Sequence, residues 1–460
     1  MDLRVVIEKL IERIHFIEED NAILRQSLRD LQEENDRLRC ENDRLKERLA
    51  LNSKNSSLPP SRDLYQLKRK TCQKSPRNPG GQPGHKPQGY QMKTPDEIID
   101  VLPGCCKCGH QLEIRQTLRK KKKIEIPLIK PYIKEYHLYQ GICHTCGKKK
   151  TASLPAGVQS DLLGNHTKAI ISALSGFFHN SKRDVQQILH DVFNLPISLG
   201  LVSMSEKRVS QKLKPSYEGL VDRIEDSPYL HIDETGHKCQ GKRGWGWIFT
   251  TRDISVLRLT ASRGKKVLQS VLPAYEGWVI SDRYGAYRYF EDGKRQICWS
   301  HLDRDFQRFA HSRHPLLACQ GNLLIGISQE VFAVNKALKS QKIDRLFFYR
   351  RIRKLKRRLL YALKGILRIP DVPHAHRVAQ NLLKSFDMMW RFVDHPELEP
   401  TNNLAERQIR KYVVYRKKSL FTWSDRGNEF VERILSLFLT CRLQKQNSFL
   451  ELSQLIATPS

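Results

Sequence analysis

Three carboxylates stand in settings that can converge on one site: Asp233 in YLHIDETGH, Asp282 in GWVISDRYGAY and Glu406 in TNNLAERQIRK. Metal-dependent phosphoryl transfer needs oxygen ligands holding divalent ions roughly 4 Å apart, one beside the nucleophile and one beside the leaving oxygen. Hard ions such as Mg²⁺ (or Mn²⁺) take carboxylates and keep several waters, so two or three acids suffice. Asp233 and Asp282 each end a β-prone run, and their separation of 49 positions leaves room for two further strands and a helix. Glu406 follows Asn403 in an N-x-x-E arrangement. By spacing alone it is either a third ligand or a capping-box acid. Asp303 and Asp305 in SHLDRDF are rival third ligands. Glu234 adjoins Asp233, but in a strand it faces the opposite side.

The elements that must position these acids begin near residue 228. YLHIDET, GWGWIFTT and ISVLRLTAS read as a three-stranded meander. GKKVLQSVL follows as a helix, and GWVISD and RQICWSHL as further strands. Three strands, helix, strand, helix, strand is the order of a ribonuclease H-like α/β fold. That domain is expected over 226–420, with a basic helical insertion at 312–400 that includes RRIRKLKRRLLYALK. A helical segment closes the chain at 421–460. Upstream, 156–225 reads as helical. It is either a helix-turn-helix, with Ser198 or Leu199 near the second helix start, or a plain spacer.

A second group of ligands precedes these elements. Cys105 and Cys108 in CCKCGH, and Cys143 and Cys146 in CHTCGK, are two CxxC pairs each followed by Gly. That is the form of a knuckle aiming two thiolates at one Zn²⁺. The expectation is a zinc-ribbon-like domain at 101–155, with Cys106 and His144 as alternative ligands and a redox dithiol as the competing reading. Eleven cysteines, four in this pattern, suit a reducing compartment better than a disulfide framework.

Residues 1–50 carry an unbroken heptad, from Leu3, Ile7 and Leu10 through Leu45 and Leu49, with Asn21, Asn35 and Asn42 at position a and Leu or Ile at every d. That pattern favours a parallel two-stranded coiled coil, so a homodimer or higher oligomer is expected. The Ser-, Pro- and Gly-rich residues 51–100 read as a basic linker. The coil segment carries a net −3 of the chain's +31, leaving +34 beyond residue 50. This excess predicts a polyanionic partner, which releases condensed counterions on binding. The N-terminus lacks the apolar core of a signal peptide, and there is no unbroken hydrophobic run of 18 residues. A cytoplasmic protein with no membrane partner is expected.

HIDETGH, SDRYGAY, CWSHLDRDF, NNLAERQIRKYVVYRKKSLFTWSDRG and the upstream NSKNSSLPPSRD together resemble the insertion-sequence sixty-six family of bacterial DDE transposases over nearly the whole chain. The resemblance implies that Asp233, Asp282 and Glu406 are the catalytic acids. It also implies binding to double-stranded DNA at the element's terminal inverted repeats and at the target, with accessory transposition proteins among the partners and a nucleoid-associated location. Hydrolysis would expose a 3′-OH, which then attacks target DNA. Arg407, Arg410 and Lys411, on the Glu406 helix, would neutralise phosphates. Many relatives carry Gly after the second Asp where this chain has Arg283, a residue that would touch DNA or alter local geometry. Cys298 and His301 match a recurrent element after the second acid, either beside the metals or packed at a strand end, and His237 has no assigned role. The alternatives are a non-catalytic DNA-binding protein derived from a transposase and a structure-specific nuclease on the same fold.

Overall fold

The computed structural model describes residues 3–49, 94–102, 107–110, 121, 123–155, 158 and 160–458. Cys105, Cys106 and most of the expected linker lie outside the described residues. The chain divides into two units, one containing Asp161–Ser181, Ser203–Ser460 and the N-terminal helix, the other containing the described residues from 94 to 160 together with Lys182–Val202.

Helix α1 runs over Leu3–Leu49. Ile14, Ile17, Leu24, Leu28, Leu31 and Leu38 are exposed along it, so among the described residues nothing covers this part of the heptad's apolar stripe.

In the second unit, β1 (Gln140–Ile142) and β2 (Lys149–Thr151) form an antiparallel hairpin pairing Gln140 with Thr151. Cys143 and Cys146 sit in its turn. The Cys143 N–H donates to Lys148 O (2.9 Å) and the Gly147 N–H to Cys143 O (2.8 Å). Gly147 turns the chain at φ 68 and Gly109 does so after Cys108 at φ 87, both in the left-handed region that glycine enters without a Cβ clash.

Helices α2 (Asn165–Ser172), α3 (Lys182–Phe193) and α4 (Leu199–Glu225) follow, with a π-helical turn at Ala173–Phe177. The sheet is β3 (Tyr229–Cys239), β4 (Lys242–Thr250) and β5 (Ser255–Thr260), then α5 (Lys265–Val271), β6 (Trp278–Ser281) and β7 (Arg295–Ile297). Its spatial order is β5-β4-β3-β6-β7. The first three strands are antiparallel neighbours, while β6 and β7 extend the sheet in parallel beyond β3. This mixed α/β sheet departs from the expected order at one point. Only two short 3₁₀ turns, Gly285–Tyr289 and Asp292–Lys294, lie between β6 and β7. The run RQICWSHL also divides, because β7 ends at Ile297 and helix α6 (Trp299–Ala310) begins after Cys298. The amphipathic period of WSHLDRDFQRFA, burying Trp299, Leu302, Phe306 and Phe309, outweighs its β-prone start.

The insertion is helical: α7 (Pro315–Lys339), α8 (Arg345–Ile366), α9 (Pro373–Lys384) and the short α10 (Arg391–Asp394). Helix α7 is long and apolar enough by composition to cross a membrane. Its Leu317, Leu324, Ile327 and Val331 instead share one core with Phe348, Ile352 and Leu359 of α8. The insertion returns to the sheet through buried hydrogen bonds. Trp299 Nε1–H donates to Met389 O (2.7 Å), and the Phe392 N–H donates to Gln296 Oε1 (2.9 Å).

The chain ends with α11 (Asn403–Lys418), α12 (Asp425–Leu443) and α13 (Ser448–Ala457). Helix α12 covers the free edge of β5 with polar side chains four residues apart. The N–H groups of Leu259, Leu257 and Ser255 donate to Glu432 Oε1 (2.5 Å), Ser436 Oγ (2.9 Å) and Thr440 Oγ1 (3.1 Å). Four residues of helix rise about 6 Å and two of strand about 6.8 Å, so the rows stay matched. An edge strand is thereby closed to pairing with another chain.

Candidate active site

The parallel ladder sets the level of each acid. Tyr229 pairs with Trp278 and His231 with Ile280, an offset of 49 residues. Continued by two residues, that offset brings Asp282 level with Asp233. Between β6 and β7 the offset is 16, Val279 to Arg295 and Ser281 to Ile297, and continued by one residue it brings Cys298 level with Asp282. The Cys298 N–H donates to Ser281 O (2.9 Å), which extends the pairing to that level. Asp233, Asp282 and Cys298 thus form a row across the carboxyl ends of the parallel strands, where open α/β sheets bind ligands.

Glu406 arrives from the first turn of α11, whose placement is fixed by Asn402. The Asn402 side chain donates from Nδ2 to Ile232 O (2.7 Å) and lies 3.2 Å through Oδ1 from His231 Nδ1. Its backbone N–H donates to Cys298 Sγ (3.1 Å). One buried amide therefore ties β3, the start of α6 and the start of α11 together. Gly246 on β4 assists, since a Cβ there would stand 2.7 Å from the Tyr412 ring of α11.

The capping reading of Glu406 is not what the geometry holds. Asn402 is the N-cap and makes no side-chain cap bond, and Asn403 Oδ1 instead accepts from Ser300 Oγ–H (3.3 Å). Glu406 Oε1 is buried without a hydrogen-bond partner.

The electrostatics follow from this convergence. Burial, then repulsion from Glu234, Asp282 and Glu406, holds Asp233 well above the usual carboxylate range. Only a backbone N–H, from Glu234 to Asp233 Oδ1 (2.9 Å), opposes this. Asp282 Oδ1 accepts from the Tyr284 N–H (2.8 Å).

The rival acids are engaged elsewhere. Glu234 accepts at Oε1 from Arg263 Nε–H (3.0 Å) and at Oε2 from the Tyr287 hydroxyl. The Arg263 guanidinium also stacks 3.7 Å from the Tyr284 ring centroid. Asp305 is paired with Arg283 and Asp303 accepts from Gln307 Nε2–H (2.8 Å). Burial raises the Asp305 pKa against the pull of Arg283.

His301 Nδ1 lies 3.7 Å from Glu406 Oε1, and burial lowers its pKa, favouring the neutral imidazole. Cys298 is fully buried, and its thiol pKa is raised by that burial. On α11, Arg407 and Arg410 are exposed, whereas Lys411 is half-buried with Nζ 5.2 Å from the Phe177 ring centroid. His237 is buried, bonded to the Tyr412 hydroxyl and 3.1 Å from Asn428 Oδ1.

Residues 181–430, more than half of the chain and spanning Asp233, Asp282 and Glu406, match the model of the Transposase IS66 family. The chain belongs to that family. Its functional class is therefore a transposase of the DDE type, which acts on DNA and uses divalent metal. Residues 3–91 of the transposase match a second model, a family of unknown function. No curated protein matches the chain.

In the other unit of the transposase, Cys108, Cys143 and Cys146 are exposed. Backbone N–H groups of Cys146 and Thr145 lower the Cys143 pKa, easing thiolate formation. Among the described residues these three do not gather into one ligand cluster, and Cys105 lies outside that set. Asn402, Arg263 and Tyr287 escaped the sequence reading. Only the doubled Asn before α11 hinted at the first.

Proposed function

We propose that this transposase cleaves and joins DNA at the ends of an insertion sequence, with Asp233, Asp282 and Glu406 as its catalytic acids on a ribonuclease H-like sheet. The observation that carries the reading is the row of Asp233 and Asp282 on adjacent parallel strands, met by a Glu406 oxygen that is buried and unpartnered. The raised Asp233 pKa fits a cation-binding role, because clustered carboxylates repel until a cation neutralises them. These three side chains would hold Mg²⁺ or Mn²⁺. When bound, such ions activate the attacking hydroxyl and stabilise the leaving oxygen in both hydrolysis and strand transfer.

The remaining groups orient and neutralise. Asn402 positions Glu406, Arg283 keeps Asp305 occupied, and Arg407 and Arg410 offer exposed charge to the DNA backbone beside the acids. On α8, Arg351 and Arg358 turn inward to Glu330 (2.8 and 2.7 Å). Arg350, Arg353, Arg357 and Lys364 remain exposed around an exposed Tyr361. Their spacing of three, four and seven residues makes one basic face with a ring for stacking, suited to DNA. The knuckle at Cys143 and Cys146 supports a zinc ribbon completed by Cys105 and Cys108, and the bare stripe of α1 supports a parallel coiled coil. Helices α3 and α4 would serve as the helix-turn-helix, and the cytoplasm with its nucleoid as the setting.

The deciding experiment incubates the full chain with a terminal-repeat duplex and Mg²⁺ or Mn²⁺. Metal-dependent nicking followed by joining to a second duplex is expected. Cleavage without joining would indicate a nuclease, and binding alone a non-catalytic DNA-binding protein.

A further inference from the structure

The described residues gather three donors of unlike chemistry at one point. The Cys298 thiol, the His301 imidazole and the Glu406 carboxylate have ligand atoms within 4.8 Å of one another. Two of these donors are orphaned: His301 Nδ1 and Glu406 Oε1 are both buried and lack a hydrogen-bond partner. Leaving such buried atoms unsatisfied is costly, and a shared cation would relieve it. The sulfur is also held in place. Cys298 is the N-cap of α6, a twelve-residue helix, and its Sγ accepts from the Asn402 N–H at 3.1 Å. The N–H groups of His301 and Ser300 act on it in the same sense. These amides oppose in part the burial that keeps the thiol pKa raised.

A sulfur, an imidazole nitrogen and a carboxylate oxygen are not the ligands of a hard ion. Mg²⁺ takes oxygen in an octahedral shell, whereas Zn²⁺ and Co²⁺ accept S, N and O together, with a fourth position left open. Tetrahedral ligands on bonds of about 2.0–2.3 Å stand roughly 3.3–3.8 Å apart. The 3.7 Å between His301 Nδ1 and Glu406 Oε1 already meets that spacing, and the sulfur lies within 4.8 Å of both.

We propose that Cys298, His301 and Glu406 form a binding site for one borderline-soft divalent cation of the Zn²⁺ or Co²⁺ class, which shares Glu406 with the three-acid site. Coordination forms a metal–sulfur bond and releases the thiol proton to solvent. Because Glu406 serves one site at a time, soft-metal occupancy withdraws the third acid from Asp233 and Asp282 and opposes Mg²⁺-dependent cleavage. That last consequence rests on the proposed function; the binding itself does not.

The test uses the full chain, first saturated with one equivalent of Zn²⁺ and then titrated with Co²⁺. Wild type is expected to develop a thiolate-to-cobalt charge-transfer band that Cys298→Ser lacks. His301→Gln should bind Co²⁺ at least tenfold more weakly, and Asp282→Asn should keep the band. Any ribbon contribution is common to all four proteins and cancels in the difference spectra. Identical bands in wild type and Cys298→Ser, or unchanged Co²⁺ affinity in His301→Gln, overturn the proposal. Should Cys298→Ser fail to fold, the His301→Gln titration decides alone. Mg²⁺-dependent nicking is measured in parallel: a Co²⁺ band without nicking removes the proposed function only, and nicking without the band removes this inference only.

Discussion

Asp233 and Asp282 stand at one level of neighbouring parallel strands, because the 49-residue offset of the β3–β6 ladder equals the separation of the two acids. Repulsion from Asp282 and Glu406, as well as from the adjacent Glu234, acts on Asp233, while the Glu234 carboxylate is itself bound to Arg263. If these three acids carry the chemistry, Asp233→Asn, Asp282→Asn and Glu406→Gln each lower strand cleavage by at least roughly 10³-fold. DNA affinity in gel-shift titrations should stay near wild type. Full cleavage by any one variant removes that residue from the site.

The same crowding has a cost in stability without metal. Asp233 keeps its proton in the folded state to higher pH than in the unfolded chain. Unfolding releases that proton between the two pKa values, so stability falls as pH rises through the interval. Without added Mg²⁺ at pH 8, Asp233→Asn should melt a few degrees above wild type. Mg²⁺ should raise the melting temperature of wild type and leave the variant nearly unmoved. A variant that melts lower than wild type under both conditions contradicts this account.

Acid acts through His231. Burial lowers its pKa to about 4, against the partial opposition of its hydrogen bond to Asn402. The unfolded chain takes up a proton below about 6.5, so the stability tied to neutral His231 is present above that pH and lost as pH falls towards 4. Urea midpoints between pH 7 and 4.5 should fall less steeply in His231→Gln. Asn402→Ala, which orphans Ile232 O, should cost about 1–3 kcal/mol and reduce cleavage more than DNA binding.

Arg283 is predicted to act through Asp305. Arg283→Gly leaves the half-buried Asp305 carboxylate beside His301 with Arg308 as its remaining guanidinium neighbour. Cleavage should drop, and the double variant Arg283→Gly, Asp305→Asn should recover part of it in a double-mutant cycle. Additive losses would mean that Arg283 works independently of Asp305.

The basic face of α8 is tested by salt. Arg350→Glu, Arg353→Glu and Arg357→Glu combined should weaken binding to duplexes of any sequence. Each lost phosphate contact should reduce the slope of log affinity against log salt by about 0.9. An unchanged slope would place DNA elsewhere.

By itself the sequence determined what local pattern encodes. The heptad of α1, the three strands β3 to β5 and the helical insertion are periodic enough to read directly, because burial of one face imposes its own spacing. The types and contexts of Asp233, Asp282 and Glu406 were equally legible. Tertiary structure decided the relations that no local period carries. It divided RQICWSHL between β7 and α6 and left Glu406 free of a capping role. It also gave Glu432, Ser436 and Thr440 to the edge of β5 and committed Arg283 to Asp305. These contacts join residues 22 to 185 positions apart, and only chain packing brings them within hydrogen-bond range. The acids were visible in the chain, but the parallel ladder and the Asn402 tie are what bring their elements together.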